Sequence, residues 1–126
     1  MADQSGSVKA VLIVTDDPKV REELRFGFSA DTEVVIAEDA RDAWAQMADT
    51  VPTAAIVDLQ TGSAGGYGLA RDMSADARLA NVPVILLLQR PQDAWLAKQA
   101  GAAGYLVKPV TVAAVTRLMT NTAQRA

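Results

Sequence analysis

An α/β fold in three layers, with a five-stranded parallel sheet between helices, is the architecture this sequence predicts. Three observations point to it. Five apolar bursts of strand length alternate with stretches of helical periodicity. The bursts are near-continuous rather than alternating, as strands read when both faces are covered. A length of 126 residues suits one domain with one core, so the β–α units share a single sheet.

The first strand is read at residues 10–14, a β-branched-rich run ended by Thr15, Asp16 and Asp17. Asp17 suits an N-cap and Pro18 a first helical position, where its missing N–H would be unpaired anyway. Val20, Leu24 and Phe28 then recur every four residues and predict one apolar helix face. Residues 33–37 form the second strand. Ala40, Ala43, Trp44 and Met47 follow at helical spacing. Pro52 interrupts, and residues 54–57 form the third strand, ending at Asp58. Residues 60–68 hold four of the eight glycines and read as a flexible loop, with a short helix after it on Leu69, Ala70 and Met73. Residues 82–88 form the fourth strand, with Pro83 tolerated near its start. A helix over 94–100 stops at Gly101. Residues 104–107 form the fifth strand, closed by Lys108 and Pro109. Thr111 caps a last helix carrying Val112, Val115, Leu118 and Met119. Trp44 and Trp95 are both read as core residues; if exposed, Trp95 would anchor a partner. The domain is placed at residues 8–124, after a flexible polar arm at 1–7. No internal repeat or linker interrupts it.

Composition narrows the chemistry. The chain has no cysteine and no histidine, which excludes disulfides, thiolate nucleophiles, Cys/His zinc sites and a Ser-His-Asp triad. Carboxylates, lysine, arginine, hydroxyls and a hard metal held by oxygen remain. The net charge of −3 argues against nucleic acid as a partner. Charge is unevenly spread: residues 1–78 carry seven basic and fourteen acidic side chains, whereas residues 79–126 carry five basic against Asp93 alone. This reads either as a chance surface bias or as a C-terminal part that docks an acidic patch. No targeting segment is apparent, and the longest apolar run, 82–88, is too short to span a membrane. A cytoplasmic protein is expected.

In parallel α/β sheets ligands bind outside the carboxyl ends of the strands. The residues there are Thr15, Asp16 and Asp17, then Asp58, then Leu88 and Gln89, then Lys108 and Pro109. Carboxylates bind Mg²⁺, an aspartate can be a phosphoryl nucleophile, and a lysine beside it neutralises phosphoryl oxygens. Taken singly, each residue reads as structural. Taken together at these strand ends, they read as a site.

With these residues in place, the sequence resembles a response-regulator receiver domain of two-component signalling. The matches are residues 11–18, 56–59, 83–85 and 100–109, the last being the most specific. The resemblance implies a flavodoxin-like sheet in order 2-1-3-4-5 and a signalling module rather than an enzyme. It also implies phosphoryl transfer from a partner histidine kinase or phosphotransfer protein to an aspartate. Asp58 falls on the phosphoacceptor and Lys108, fifty positions on, on the phosphate-pairing lysine. Tyr105 falls on the aromatic switch position. Asp16 matches the directly coordinating metal acid, and the Gln60 backbone carbonyl would also face Mg²⁺. Thr15 stands where the other acid belongs, reaching the metal only through a water, so a weak Mg²⁺ site is expected. Asp17 is then the extra residue, an N-cap.

Other departures matter more. Leu88 stands where the family places the Thr or Ser that bonds the phosphoryl group and couples it to the switch. Gln89 replaces a small residue, and Gly62 stands where proline is common, although Gly66 matches the loop's usual glycine. Two functions stay open: an atypical phosphoacceptor, or a degenerate receiver that binds partners independently of phosphate. A flavin or small-molecule module is disfavoured, because no glycine-rich turn follows the first strand. By resemblance, the fourth helix, fifth strand and fifth helix form the face for a downstream protein, and a homodimer is an allowed assembly. The length leaves room for a receiver alone, free-standing or excised from a longer protein.

Overall fold

The computed structural model describes residues 9–61 and 65–125. The expected arm at 1–7 and Gly62 lie outside the described residues. The elements run in chain order β1 (Lys9–Val14), α1 (Pro18–Arg25), β2 (Thr32–Ala37), α2 (Ala40–Met47), β3 (Ala54–Asp58), α3 (Tyr67–Ala75), β4 (Val84–Leu88), α4 (Ala94–Gln99), β5 (Gly104–Val107) and α5 (Val112–Arg125). A single 3₁₀ turn, Pro91–Asp93, leads into α4. The five strands form one sheet in order β2-β1-β3-β4-β5. All four pairings are parallel.

The pleat sends alternate side chains to opposite faces. Val11 and Ile13 of β1, Ile56 of β3, and Ile85 and Leu87 of β4 face a cluster completed by Val20 and Leu24 of α1 and Val115 of α5. Leu12, Val14, Val57, Leu86 and Leu88 face the other cluster, with Met47 of α2, Met73 of α3 and Ala97 of α4. Two helices therefore cover one face and three the other. Every residue of β3 and β4 is buried, which is why their apolar bursts run unbroken, β3 up to Asp58.

Helix ends are closed by local side chains. The Asp17 carboxylate accepts the Lys19 N–H at 2.9 Å with Pro18 at the first helical position, as expected of the cap. Asp39 accepts the Asp42 N–H at 2.9 Å at the start of α2, and the Arg78 guanidinium donates to the Met47 carbonyl at its end. Thr111 accepts the Ala114 N–H at 3.1 Å. Such caps satisfy backbone groups that have no partner within the helix.

Several sequence expectations shift. α1 stops at Arg25, because Phe26 is extended and Gly27 turns the chain at φ +100°. Phe28 is thus off the helix, though it still packs against the α1–α5 cluster. β4 begins after Pro83, whose ring leaves no N–H for the ladder. The loop expected to reach residue 68 ends at Tyr67, where α3 opens. Trp44 packs against the core, but Trp95 is 62% exposed on α4, so its core reading is overturned. Among the described residues no helix is long and apolar enough to cross a membrane.

Gly66 sits where a Cβ would lie 2.3 Å from the Asp58 carbonyl oxygen, whereas a Cβ at Gly68 would meet nothing within 4 Å. In urea unfolding, Gly66→Ala should therefore cost about 1–3 kcal/mol, the usual penalty of overpacking. Gly68→Ala should be neutral or stabilise by about 0.5 kcal/mol through the unfolded chain. Equal effects of the two substitutions would contradict the close packing at Gly66.

Candidate functional site

Three strand ends converge on Asp58. Val14 of β1 is in register with Val57 of β3, so Thr15, one residue on, lies beside Asp58. Its hydroxyl donates to Asp58 Oδ2 at 2.8 Å and accepts the Asp17 N–H at 3.0 Å. Lys108 follows β5, two strands from Asp58, a gap of about 10 Å. Its long stem crosses the end of β4, and Nζ meets Asp58 Oδ2 at 2.7 Å. The backbone N–H of Gln60 donates to Oδ1 at 3.1 Å. The Lys108–Asp58 pair is well enclosed, with side chains 14% and 2% exposed. Ladder bonds hold the two flanks: Leu59 N–H donates to the Leu87 carbonyl at 2.9 Å and Lys108 N–H to the Leu88 carbonyl at 2.8 Å. The Lys108–Pro109 peptide is cis.

Asp17 does more than cap α1. Its Oδ2 accepts from Lys108 Nζ at 3.2 Å, while its Oδ1 holds the Lys19 amide. Burial alone would raise its pKa. The Lys19 amide and the Lys108 ammonium outweigh that and hold it below the ordinary aspartate value of 3.8. Lys108 answers in kind: burial would lower its pKa, but Asp58 first and Asp17 second outweigh it and hold it above 10.5. One cation thus serves two carboxylates.

Of the sequence-predicted residues, Asp58, Lys108 and Thr15 are in direct contact. Thr15 bonds Asp58 directly through its proton, and its oxygen also accepts the Asp17 N–H. Asp16 is exposed at the end of β1. Leu88 is fully buried in an apolar cluster with Val57 and Leu86. Tyr105 is 44% exposed on β5. Gln89 is exposed and, with Asp17, Lys19, Glu23 and Pro109, lines a groove beside Lys108. Among the described residues no group of three or more acidic side chains gathers closely enough to hold a metal.

Two residues escaped the sequence reading. Asp17 was assigned only its cap, although its place beside Asp16 at a strand end is the signal that it faces the same cluster. Thr61 is buried, donates from its hydroxyl to the Glu38 carbonyl at 2.5 Å, and ties the loop bearing Gln60 to the end of β2. Nothing in the local sequence marks that bond, which joins residues 23 positions apart.

Comparison with known proteins fits this geometry. Residues 11–120 match the family of response regulator receiver domains. The response regulator Rre1 of Synechocystis is 31% identical over 104 residues, covering 79% of this chain and 45% of that protein. The chain therefore spans about half the length of that relative. The receiver domain of a signal transduction histidine kinase from Syntrophus aciditrophicus superposes with a TM-score of 0.75 at 26% identity, over 94% of this chain and 92% of the other. The receiver domain of a Pseudomonas aeruginosa sensor histidine kinase, with magnesium coordinated in its active-site cleft, gives 0.75 at 25% identity, over 90% and 96%.

The shifted groups set a pH dependence. Asp17, depressed when folded, adds stability above 3.8 that is lost as pH falls through its folded value. Lys108, raised when folded, adds stability below 10.5 that is lost as pH rises through its folded value. Carboxyl ¹³C NMR of metal-free protein should give Asp17 a midpoint below 3.8. In Lys108→Met the midpoint should rise part of the way back, the Lys19 amide retaining the rest. A midpoint indifferent to Lys108 would contradict the shared-cation geometry.

Proposed function

The chain belongs to the response regulator receiver domain family, and from that premise we propose that Asp58 accepts a phosphoryl group from a partner's phosphohistidine. The observation that carries this reading is the enclosed contact of 2.7 Å between Lys108 Nζ and Asp58 Oδ2 at the carboxyl end of the sheet. In the transfer, an Asp58 oxygen bonds to phosphorus as the phosphorus–nitrogen bond to the donor imidazole breaks. The imidazole leaves with the electron pair and takes a proton from solvent. Lys108 balances charge on the phosphoryl oxygens as they pass. The donor is a histidine kinase or phosphotransfer protein, because this chain has no histidine. The product is a signal, and no turnover of a small substrate is called for.

The donors at hand suit Mg²⁺, which takes one or two carboxylates and otherwise keeps water. Asp16, Asp58 and the Gln60 carbonyl would hold it. When bound, the ion neutralises charge on the transferring group. Thr15 contributes a neutral oxygen already committed to Asp58, so affinity is low. The output face is α4, β5 and α5. Trp95 and Tyr105 are exposed there, and the sequence surplus of basic residues in 79–126 suits an acidic downstream protein or a second copy of the chain. The setting is the cytoplasm, where such kinases present phosphohistidine.

A second reading, partner binding without phosphate, is favoured by one observation: Leu88 is apolar and wholly enclosed, so the β4 end offers no hydroxyl to a phosphoryl group. One experiment separates the two. With Mg²⁺ and a small acyl-phosphate donor, intact-mass spectrometry should show a single phosphoryl adduct that Asp58→Asn abolishes. Leu88→Thr should increase its yield, since a hydrogen bond to a charged group contributes about 1.5–3 kcal/mol. No adduct from this donor or from a phosphorylated histidine kinase, with partner affinity unchanged in Asp58→Asn, would establish the second reading.

A further inference from the structure

We propose that the Thr15 hydroxyl is a positioning group that favours the free Asp58 carboxylate over its acyl phosphate and so shortens the life of the signal. The inference rests on the reading of Asp58 as phosphoacceptor and extends it to how that state decays.

Thr15 is fully buried. Its oxygen donates to Asp58 Oδ2 at 2.8 Å and accepts the Asp17 N–H at 3.0 Å. Turning to another partner would leave a group unpaired in an enclosed site, which is unfavourable. Lys108 Nζ approaches the same Oδ2 at 2.7 Å. The carboxylate is therefore loaded unevenly. Two donors fill the two lone-pair directions of Oδ2. Among the described residues Oδ1 accepts one hydrogen bond, from the Gln60 N–H at 3.1 Å, against two on Oδ2. The geometry assigns Oδ1 as the oxygen that bonds phosphorus.

Once that bond forms, Lys108 turns to the phosphoryl oxygens, which frees one lone pair of Oδ2 for the cation, and Oδ2 becomes the carbonyl oxygen of a neutral acyl group with Thr15 still on it. A hydrogen bond to a charged acceptor is stronger than one to a neutral acceptor, so Thr15 favours the free carboxylate. Hydrolysis runs with that preference. Water oxygen bonds to phosphorus, the phosphorus–Oδ1 bond breaks, and its electron pair returns to Asp58. The protons of water pass to the released phosphate and to solvent. Negative charge grows on Asp58 as the bond breaks, so the Thr15 bond strengthens along the path and lowers the barrier.

The test follows the adduct after the donor is removed. Wild-type protein is labelled with Mg²⁺ and a small acyl-phosphate donor, and its half-life is read by intact mass. Thr15→Val removes the hydroxyl at nearly constant volume and should lengthen the half-life roughly five- to tenfold, the ratio expected when a charged hydrogen bond is exchanged for a neutral one. Thr15→Ser returns the hydroxyl and should bring the half-life back to within roughly twofold of wild type, by the same reasoning. Should Thr15→Val not fold, Thr15→Ala gives the same comparison. A structural role alone would lower the melting temperature and leave the half-life where it was. An unchanged half-life in the folded variant overturns the inference. So does a shorter one, which would mean that the hydroxyl follows the phosphoryl group instead. An adduct whose lifetime ignores Thr15 leaves the phosphoacceptor reading intact; no adduct on wild type overturns that reading and this inference with it.

Discussion

Burying a carboxylate at the end of a parallel sheet is the constraint around which this molecule is arranged. Asp58 is 1% exposed, and an unpaired charge there would be strongly unfavourable. It is matched by one cation and two neutral donors, each delivered by a different strand end or loop. The parallel register makes this arrangement cheap in conformational terms. Thr15 arrives because β1 adjoins β3. Lys108 arrives because β5 stands two places away, a span that suits an extended lysine stem. The loop after β3 is held in turn by Thr61 on the Glu38 carbonyl and by the close approach of Gly66 to the Asp58 backbone. Such a cluster is stable only while it is complete, since removing one partner of a buried pair costs far more than the pair contributes.

The same cluster explains why Asp17 has two duties. Capping α1 fixes its backbone and one oxygen, and the cap geometry points the other oxygen at Lys108. A residue chosen for helix initiation thereby joins the charge balance of the site. Leu88 is the opposite case. It sits at the end of β4 and completes the apolar face formed with Val57 and Leu86. Packing has taken precedence over polarity at β4, and the hydroxyl nearest Asp58 comes from β1.

Much of this was legible in the sequence because the signals are local. The bursts at β3 and β4 are unbroken since both faces are covered, and Asp17-Pro18, Asp58 and Lys108-Pro109 mark strand ends by residue type alone. What was not legible depended on tertiary context. Phe28 keeps the helical period of Val20 and Leu24, but the turn at Gly27 takes it off the helix while leaving it in the core. Trp95 has a core residue's composition and a surface residue's place, because α4 is short and turns that position outward. The bonds from Thr15 to Asp58 and from Thr61 to Glu38 join residues 43 and 23 positions apart, and only the sheet register brings them together.

The amides next to the site belong to the last rungs of the ladder: Leu59 on Leu87 and Lys108 on Leu88. The first extends the ladder between β3 and β4, the two strands with no exposed residue, and the second extends the ladder between β4 and β5. Segments so enclosed open only with the whole domain, whereas peripheral helices fray on their own. Asp58 and Lys108 are thus both moored by backbone bonds to the buried strand β4. The outer helices can breathe, deform against a partner or shift with its docking while the spacing between acceptor and cation persists. Mobility in this fold is available for communication without being taken from the chemistry.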